Sequence, residues 1–220
     1  MDGTLTDTEP LWLAGETSTM AQFGYTWTSE DQHACFGKPL PIVTEYMSRR
    51  VDAARGEIDV VLMDTMESLM SEHFAWSPGS REFLCSVLDA QLPTALVSAS
   101  YRRLMNVLVA AMSADLGCDP FDATIAGDEV EFGKPHPQPY LLAAAALGVD
   151  PRECIILEDS PVGVTSALAS GGSVVAIEEL VAHTDDAVHF RVPNLVGLTL
   201  GQVVSGIGGG VPPQAGQSAL

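Results

Sequence analysis

A pair of adjacent carboxylates, Glu158 and Asp159, follows directly after four apolar residues at positions 154–157. The apolar run predicts a buried strand, so the two carboxylates lie where the chain leaves the core. Two neighbouring negative charges at such a position repel each other and lose hydration, which is costly unless a cation joins them. The pair therefore favours a cation-binding site over a solvated acidic turn.

The two lysines of the chain are a second candidate for chemistry. Eight of the ten basic residues are Arg, and the remaining two, Lys38 and Lys134, both stand in Gly-Lys-Pro triplets. Codon bias that turned surface lysines into arginines explains this pattern. A need for compact ammonium groups at two sites also explains it, because an ammonium is a point charge and a guanidinium is a planar fork. The second interpretation is favoured for Lys134, and both stay open for Lys38.

Two serines stand near the end of a predicted strand. Ser98 closes an apolar run over residues 92–98 that predicts a buried strand. Ser100 suits the N-cap of a helix predicted over residues 101–114. If Ser100 caps the helix, the Ser98 hydroxyl is not needed as a cap and is a candidate for a binding or catalytic site.

The chain opens with a polar turn at residues 2–7, Asp-Gly-Thr-Leu-Thr-Asp. In α/β folds, turns of this kind sit at the carboxyl end of a strand. The sequence has no apolar run before this turn, so we expect the strand to lie upstream of Met1.

Strand and helix patterns alternate along most of the chain, which predicts βαβ units, a parallel sheet with helices on both faces, and hence the α/β fold class. Strands are expected at 92–98, 121–126, 154–157 and 173–177, and helices at 101–114, 137–147 and 161–170. The segment 9–76 carries helical periodicity and almost no strand signal. The predicted organisation is an α/β core at 1–8 and 77–204, a helical insertion at 9–76 and a disordered tail at 205–220.

Four segments in order resemble the four motifs of the haloacid dehalogenase superfamily, namely residues 2–4, Ser98, Lys134 and the pair Glu158 and Asp159. Ser160 and Gly163 continue the Glu-Asp-Ser-x-x-Gly pattern of the last motif. The resemblance extends over most of the chain. It implies a Rossmann-like parallel sheet core with an all-helical cap domain inserted at 9–76.

The resemblance also implies phosphoryl transfer through an aspartyl-phosphate. The first motif of the family, Asp-x-Asp-Gly-Thr, matches this chain from Asp2 onward, so its nucleophile is expected just upstream of Met1. Asp2 is then the acid that protonates the leaving oxygen and the base that deprotonates the attacking water. By the same resemblance Ser98 binds a phosphoryl oxygen with Ala99 beside it, and Lys134 pairs with the nucleophile and the phosphoryl oxygens.

Mg²⁺ is the cofactor that the resemblance implies. Glu158 and Asp159 would hold it, Asp159 most directly, and the upstream nucleophile and the backbone carbonyl of Asp2 would complete the protein ligands. Mg²⁺ prefers oxygen ligands and keeps several of its waters, which suits this set of groups.

A loop in the helical segment, residues 35–40, resembles the substrate-specificity loop of the family's cap. Gly37 and Lys38 are therefore candidate substrate contacts, together with Ser98 and Ala99. An exposed loop lysine without a role is an equally good interpretation of Lys38. In the family the cap closes over the site, excludes water and reads the substrate.

A Mg²⁺-dependent phosphatase of a small phosphorylated metabolite, with a sugar phosphate as the expected substrate, is the function that the resemblance implies. Asp2 argues against a true dehalogenase, because those members lack an acid/base Asp at this position. Residues 7–12 resemble sugar-phosphate phosphatases, whereas β-phosphoglucomutases usually carry His near Trp12 and Arg near Leu40. A phosphatase is therefore favoured over a phosphosugar mutase. An inactive, truncated binding protein is a further alternative, because without its nucleophile the chain is expected to lack turnover.

Composition limits the partners and the location. The net charge of −19 repels polyanions, so nucleic acid and anionic membranes are not expected as partners. The four Cys show no CxxC spacing, which indicates reduced thiols and a cytoplasmic protein. Neither a signal-peptide pattern nor an apolar stretch of membrane-spanning length is seen in the sequence. The oligomeric state is open, with a monomer as the expectation.

Overall fold

The computed structural model describes residues 1–35, 38–178 and 187–208. Its helices are α1 (Glu9–Gln22), α2 (Ser29–Cys35), α3 (Leu40–Ser48), α4 (Arg55–Glu72), α5 (Ser80–Asp89), α6 (Arg102–Leu116), α7 (Gln138–Leu147), α8 (Pro161–Ser170) and α9 (Leu200–Ile207). Its strands are β1 (Ala95–Val97), β2 (Ala123–Ile125), β3 (Ile155–Glu158), β4 (Ser173–Ile177) and β5 (Phe190–Val192). Two short 3₁₀ turns lie at Gly127–Glu129 and Pro151–Glu153.

The α/β class predicted from the sequence is confirmed. The four predicted strands overlap β1 to β4, and the three helices predicted between and after them coincide with α6, α7 and α8. These helices end at Gly117, Gly148 and Gly171, whose φ angles are 73°, 71° and 89°. Glycine adopts this left-handed conformation without a steric penalty, so it ends a helix at a defined residue.

The strands form two parallel sheets that are not hydrogen-bonded to each other within the described ranges. β1 pairs with β2, and the second sheet has the order β3, β4, β5. A cavity of about 520 Å³, called here the inter-sheet cavity, lies between β1 and β3 and is lined by Met1, Leu96, Val97, Ile156 and Leu157 among others. Side chains from α5, α7 and α9 complete its largely apolar walls.

One hydrophobic cluster joins the helices of residues 9–76 to the α/β part of the molecule. All eight methionines of the chain are buried in it, a set called here the methionine seam: Met1, Met20, Met47, Met63, Met66, Met70, Met105 and Met112. Helix α1 packs on α4, and α4 packs on α6. A side chain at Gly15 would place its Cβ 2.3 Å from Met66 Sδ, so a larger residue there would require the Met66 side chain to move. The division into a core and a cap stays a prediction.

A buried carboxylate, Asp31, connects α2 to the neighbouring segments. It accepts hydrogen bonds from Thr28 Oγ1 at 2.6 Å, from Tyr46 Oη at 2.8 Å, from Tyr25 Oη at 3.1 Å and from Arg50 Nε at 3.1 Å. Burial alone would raise the pKa of Asp31, but these hydrogen bonds outweigh it and hold the pKa below its ordinary value. The carboxylate is therefore ionised and fixes the start of α2 against α3.

The last described helix, α9, runs to Ile207 and so passes the predicted core boundary at residue 204. Most of the tail predicted to be disordered, residues 209–220, lies outside the described residues. Across the described ranges, no helix combines the length and the apolar character that crossing a membrane requires.

Candidate active site

Three hydroxyl groups hold the side chain of Asp2. Thr8 Oγ1 donates to Asp2 Oδ1 at 2.7 Å, and Ser100 Oγ donates to Asp2 Oδ2 at 2.8 Å. Ser98 Oγ donates to the same Oδ2 over a longer distance of 3.4 Å. A carboxyl group fixed in this way keeps one orientation, which an acid/base group requires. The structure thus brings together Asp2 and Ser98, two residues predicted to be catalytic.

The N-cap interpretation of Ser100 is wrong. Helix α6 begins after Tyr101, which makes no side-chain cap bond, while the Ser100 hydroxyl is directed to Asp2. The first-turn N–H of Arg102 is instead accepted by Asp128 Oδ1 at 2.7 Å. The chain bends after β1, and the Ser100 N–H donates to Ser98 Oγ at 3.1 Å; this bend brings both hydroxyls to the same carboxyl.

Lys134 and Glu158 form a buried ion pair, with side chains 9% and 5% exposed. Tyr140 Oη also donates to Glu158 Oε1, and Ser160 donates to Glu158 Oε2 through its N–H at 3.3 Å and its hydroxyl at 3.1 Å. Burial would raise the pKa of Glu158, but the Lys134 charge and these hydrogen bonds lower it to about 2. A Cβ on Gly163 would come within 2.0 Å of Glu158 Oε2, so glycine allows α8 to start this close to the ion pair.

The carboxylate of Asp159 points the other way, toward the N-terminal turn. Thr4 Oγ1 donates to Asp159 Oδ1 at 2.5 Å, and a Cβ on Gly3 would lie 2.4 Å from Oδ2. Burial, followed by the negative charge of Glu158, raises the pKa of Asp159. The N-terminal ammonium and the Thr4 hydrogen bond lower this pKa in part, and no side chain in the described ranges forms an ion pair with this carboxylate.

The chemistry of these groups fits a hard cation that keeps several water ligands when it binds. The described residues include no cluster of three or more His, Cys, Asp or Glu side chains with the spacing of a metal site, so a zinc-type centre with three or four protein side chains does not fit here. Asp159 supplies an oxygen donor of the kind that Mg²⁺ prefers. The carboxylate of Glu158 is already engaged by Lys134, Tyr140 and Ser160. The assignment of Asp2, Glu158 and Asp159 as metal ligands stays a prediction.

A cavity of about 510 Å³, called here the site cavity, opens over these residues. Its floor is formed by the motif residues Asp2, Ser98, Lys134, Glu158 and Asp159 together with Ala99 and Ser100. Its wall comes from α1, α2, α3 and the loop before α3, and includes Glu9, Trp12, Leu13, Glu16, Gln32, Cys35, Lys38, Pro39, Leu40 and Val43. The predicted substrate contacts Lys38 and Ala99 therefore face one cavity, whereas Gly37 lies outside the described residues.

The electrostatics of the site cavity are mixed. Burial raises the pKa of Glu9, and the charges of Asp2, Asp159 and Asp7 raise it further. Lys38 is exposed and makes no ion pair with any residue that the structure describes. Its ammonium is therefore available to an anionic ligand that enters from the side of the helices.

The sequence profile of the haloacid dehalogenase-like hydrolases matches residues 1–177 of this chain. The chain belongs to this family. Among curated relatives, hexitol phosphatase B of Escherichia coli is 31% identical over 189 residues, which are 84% of each chain. The phosphorylated carbohydrates phosphatase of Thermotoga maritima is 30% identical and covers 78% of this chain and 79% of its own. The solved structure of β-phosphoglucomutase from Clostridium difficile has a TM-score of 0.73 at 19% identity and covers 94% of each chain, which supports the fold.

Three residues of this haloacid dehalogenase-like hydrolase were not indicated by its motifs. Ser100 and Tyr140 bond directly to Asp2 and Glu158 in the floor of the site cavity, and Glu16 stands in its wall. Ser100 lies in the bend directly after β1, and its nearness to Ser98 in sequence is a signal that could have found it. Tyr140 lies in a helix that packs on the core, and no local pattern separates its hydroxyl from that of an ordinary core tyrosine.

Proposed function

We propose that this chain is a Mg²⁺-dependent phosphatase of small phosphorylated carbohydrates, and that its aspartyl nucleophile directly precedes Met1. The observation that carries the proposal is the fixed carboxyl of Asp2, placed in one cavity with Lys134 and Asp159. The phosphatase relatives named above support the substrate class. Unpaired cysteines throughout the described residues are in keeping with a cytoplasmic location, which is part of the same proposal.

The proposed reaction has two steps. In the first, the upstream aspartate attacks phosphorus, the bond from phosphorus to the leaving oxygen breaks, and Asp2 gives its proton to that oxygen. In the second, Asp2 takes a proton from water, the water oxygen attacks phosphorus, and the nucleophile carboxylate is released together with inorganic phosphate. Thr8 and Ser100 keep the Asp2 carboxyl aimed during both steps.

The other floor residues act on the phosphoryl group. Lys134 Nζ and the Ser98 hydroxyl are donors that balance the negative charge of the phosphoryl oxygens as it shifts in the transition state. A bound Mg²⁺ would add positive charge beside those oxygens, and Asp159 is the side chain that would hold it.

The inter-sheet cavity supports the position proposed for the nucleophile. Met1 lines both this cavity and the site cavity. A strand that filled the inter-sheet cavity and ended one residue before Met1 would therefore deliver its last side chain next to Asp2. An extended segment of about eight residues is of ordinary strand length.

The test compares three proteins: the 220-residue chain, an extended chain with about eight apolar residues and a final Asp before Met1, and the same extension ending in Asn. Release of inorganic phosphate from hexitol and sugar monophosphates is measured with Mg²⁺ and with a chelator. We expect the Asp extension to raise turnover at least about 10³-fold over the other two proteins. Equal melting temperatures for the Asp and Asn extensions would separate chemistry from folding. Equal turnover for these two would overturn the proposal.

A phosphosugar mutase is the second candidate, because the β-phosphoglucomutase fold matches over most of the chain. Trp12 and Leu40 line the wall of the site cavity, at the places where we expect a mutase to carry His and Arg. Incubation of the extended chain with β-glucose 1-phosphate distinguishes the two functions. A phosphatase releases inorganic phosphate, whereas a mutase yields glucose 6-phosphate.

A further inference from the structure

A buried carboxyl group stands in the wall of the site cavity without a role in the proposed phosphoryl transfer. Glu16 lies on α1, is 7% exposed and lines the cavity. None of its hydrogen bonds goes to a floor residue in the described part of the chain. A buried carboxyl is costly to keep unless a partner satisfies it, so its position needs an explanation.

Within the described residues, the carboxyl of Glu16 accepts a single hydrogen bond. Trp27 Nε1 donates to Glu16 Oε2 at 3.2 Å. The Trp27 ring is itself held by edge contacts with Tyr25 and Tyr46, at centroid distances of 6.5 Å and 6.0 Å. The indole therefore fixes one oxygen of the carboxyl, and no donor or cation in the described ranges reaches the other.

The surroundings of Glu16 in the cavity are mostly apolar. Trp12, Leu13, Leu40 and Val43 belong to the same wall, together with the side-chain amide of Gln32. A concave apolar surface with a few fixed polar groups is the usual form of a site for a small organic ligand. The polar groups then set which ligand is bound, because a ligand that leaves them unpaired is rejected.

We propose that Glu16 is a specificity-determining residue that hydrogen-bonds a hydroxyl group on the leaving part of the substrate, and so selects polyhydroxylated leaving groups. This inference rests on the proposed phosphatase function and deepens it. The phosphoryl group occupies the floor, and the polyol that carries it extends toward α1 and Glu16.

A hydroxyl group suits this position better than a charged group. Burial raises the pKa of Glu16 to about 7, with the Trp27 hydrogen bond lowering it and the charge of Glu9 raising it. Near neutral pH the carboxyl is thus present in both protonation states, and a hydroxyl can donate to one and accept from the other. A second phosphate would meet Glu9 and Glu16 together, which disfavours a bisphosphate at this end of the cavity.

The test uses the extended chain and three variants: Glu16→Leu, the isosteric Glu16→Gln, and Glu30→Ala as a control at an exposed carboxyl of α2. The kcat and KM are measured with hexitol monophosphates and with p-nitrophenyl phosphate. We expect Glu16→Leu to lower kcat/KM for the hexitol phosphates about 10- to 100-fold and for the aryl phosphate by less than about threefold. Glu16→Gln should keep most of the activity, and Glu30→Ala should match the unsubstituted protein.

Deoxy substrates give a second test, because their effect is measured first on the unsubstituted protein and does not require Glu16→Leu to fold. Loss of the recognised hydroxyl should cost the unsubstituted protein as much as the Glu16→Leu substitution does, and should cost Glu16→Leu nothing further. The inference would be overturned if Glu16→Leu lowered kcat/KM equally for hexitol and aryl phosphates, or if the unsubstituted protein were insensitive to every deoxy position. The proposed function would still stand in that case, provided that the unsubstituted protein is active on carbohydrate phosphates. An unsubstituted extended chain without activity on any carbohydrate phosphate would instead reject the proposed function and the inference with it.

Discussion

Two carboxylates in the floor of the site cavity and two charged groups in its wall differ in how far the protein satisfies them. In the floor, the carboxylates of Asp2 and Glu158 each accept hydrogen bonds from three different residues. In the wall, Glu16 has one donor and Lys38 has no ion pair within the described ranges. Groups that are already satisfied hold a fixed geometry for chemistry, whereas groups with spare capacity remain for a ligand. The comparison predicts that floor substitutions lower all activities and that wall substitutions change their ranking.

Substitution of Asp2 should have the largest effect on the floor. Asp2→Asn in the extended chain keeps the shape and the acceptor for Thr8 but cannot carry the proton, so we expect turnover to fall by about 10²- to 10⁴-fold on every phosphate ester. Phosphate release and the melting temperature are the measurements. Asp7→Asn is the matched control, because Asp7 is exposed on the same turn. Equal losses in both variants would show that the acid/base group is misassigned.

Removal of Lys134 should affect stability as well as turnover. Lys134→Met leaves the buried charge of Glu158 unpaired, which we expect to lower the free energy of unfolding by about 3–5 kcal/mol in urea titrations at pH 7. The double variant Lys134→Met with Glu158→Gln should recover most of this loss, because both partners of the pair are then neutral. Destabilisation that persists in the double variant would mean that lost packing, and not the buried charge, is the cause.

The pH dependence of this variant has a defined sign. In the unsubstituted protein the pKa of Glu158 is lowered to about 2, so its ion pair stabilises the fold above the ordinary pKa near 4.5 and the stabilisation is lost as the pH falls toward 2. Without Lys134 the buried carboxylate protonates more readily, so its pKa is raised. The destabilisation by Lys134→Met should therefore shrink between pH 7 and pH 5.

Lys38 should show the smallest effect, and it lies in the wall. We expect Lys38→Ala to lower kcat/KM for sugar phosphates by about 5- to 10-fold and to reorder them, with little change for p-nitrophenyl phosphate. Arg49→Ala removes an exposed cation of the same helical segment and serves as the control. If Lys38→Ala lowers the rate on both kinds of substrate alike, the wall does not differ from the floor at this position.

The strand and helix pattern was enough to predict four of the five observed strands and the helices between them. β5, Phe190–Val192, was missed because three residues with a central Arg carry no apolar run. Ser98 and Asp159 were indicated because each stands at the end of an apolar run, and Lys134 because it is one of two lysines, both in Gly-Lys-Pro triplets; the family motifs indicated all three. These signals are local in sequence, and local patterns are what a single sequence displays.

Contacts between distant residues could not be predicted in the same way. Glu158 and Asp159 are adjacent in sequence, but successive side chains at the end of a strand point to opposite sides. One therefore turns to Lys134 and the other to Thr4. Likewise, only the packing of α1 beside the loop at Trp27 shows that Glu16 is buried.

The methionine seam fills the region where α1 packs on α4 and α4 packs on α6. Methionine is unbranched and fills irregular gaps between packed helices. The same residues are open to oxidation, because a sulfoxide oxygen is polar and disrupts a packed core. All eight methionine side chains are buried. Peroxide can reach these sulfur atoms only when the cluster opens to solvent. We therefore expect the rate of methionine oxidation to report how often this cluster opens.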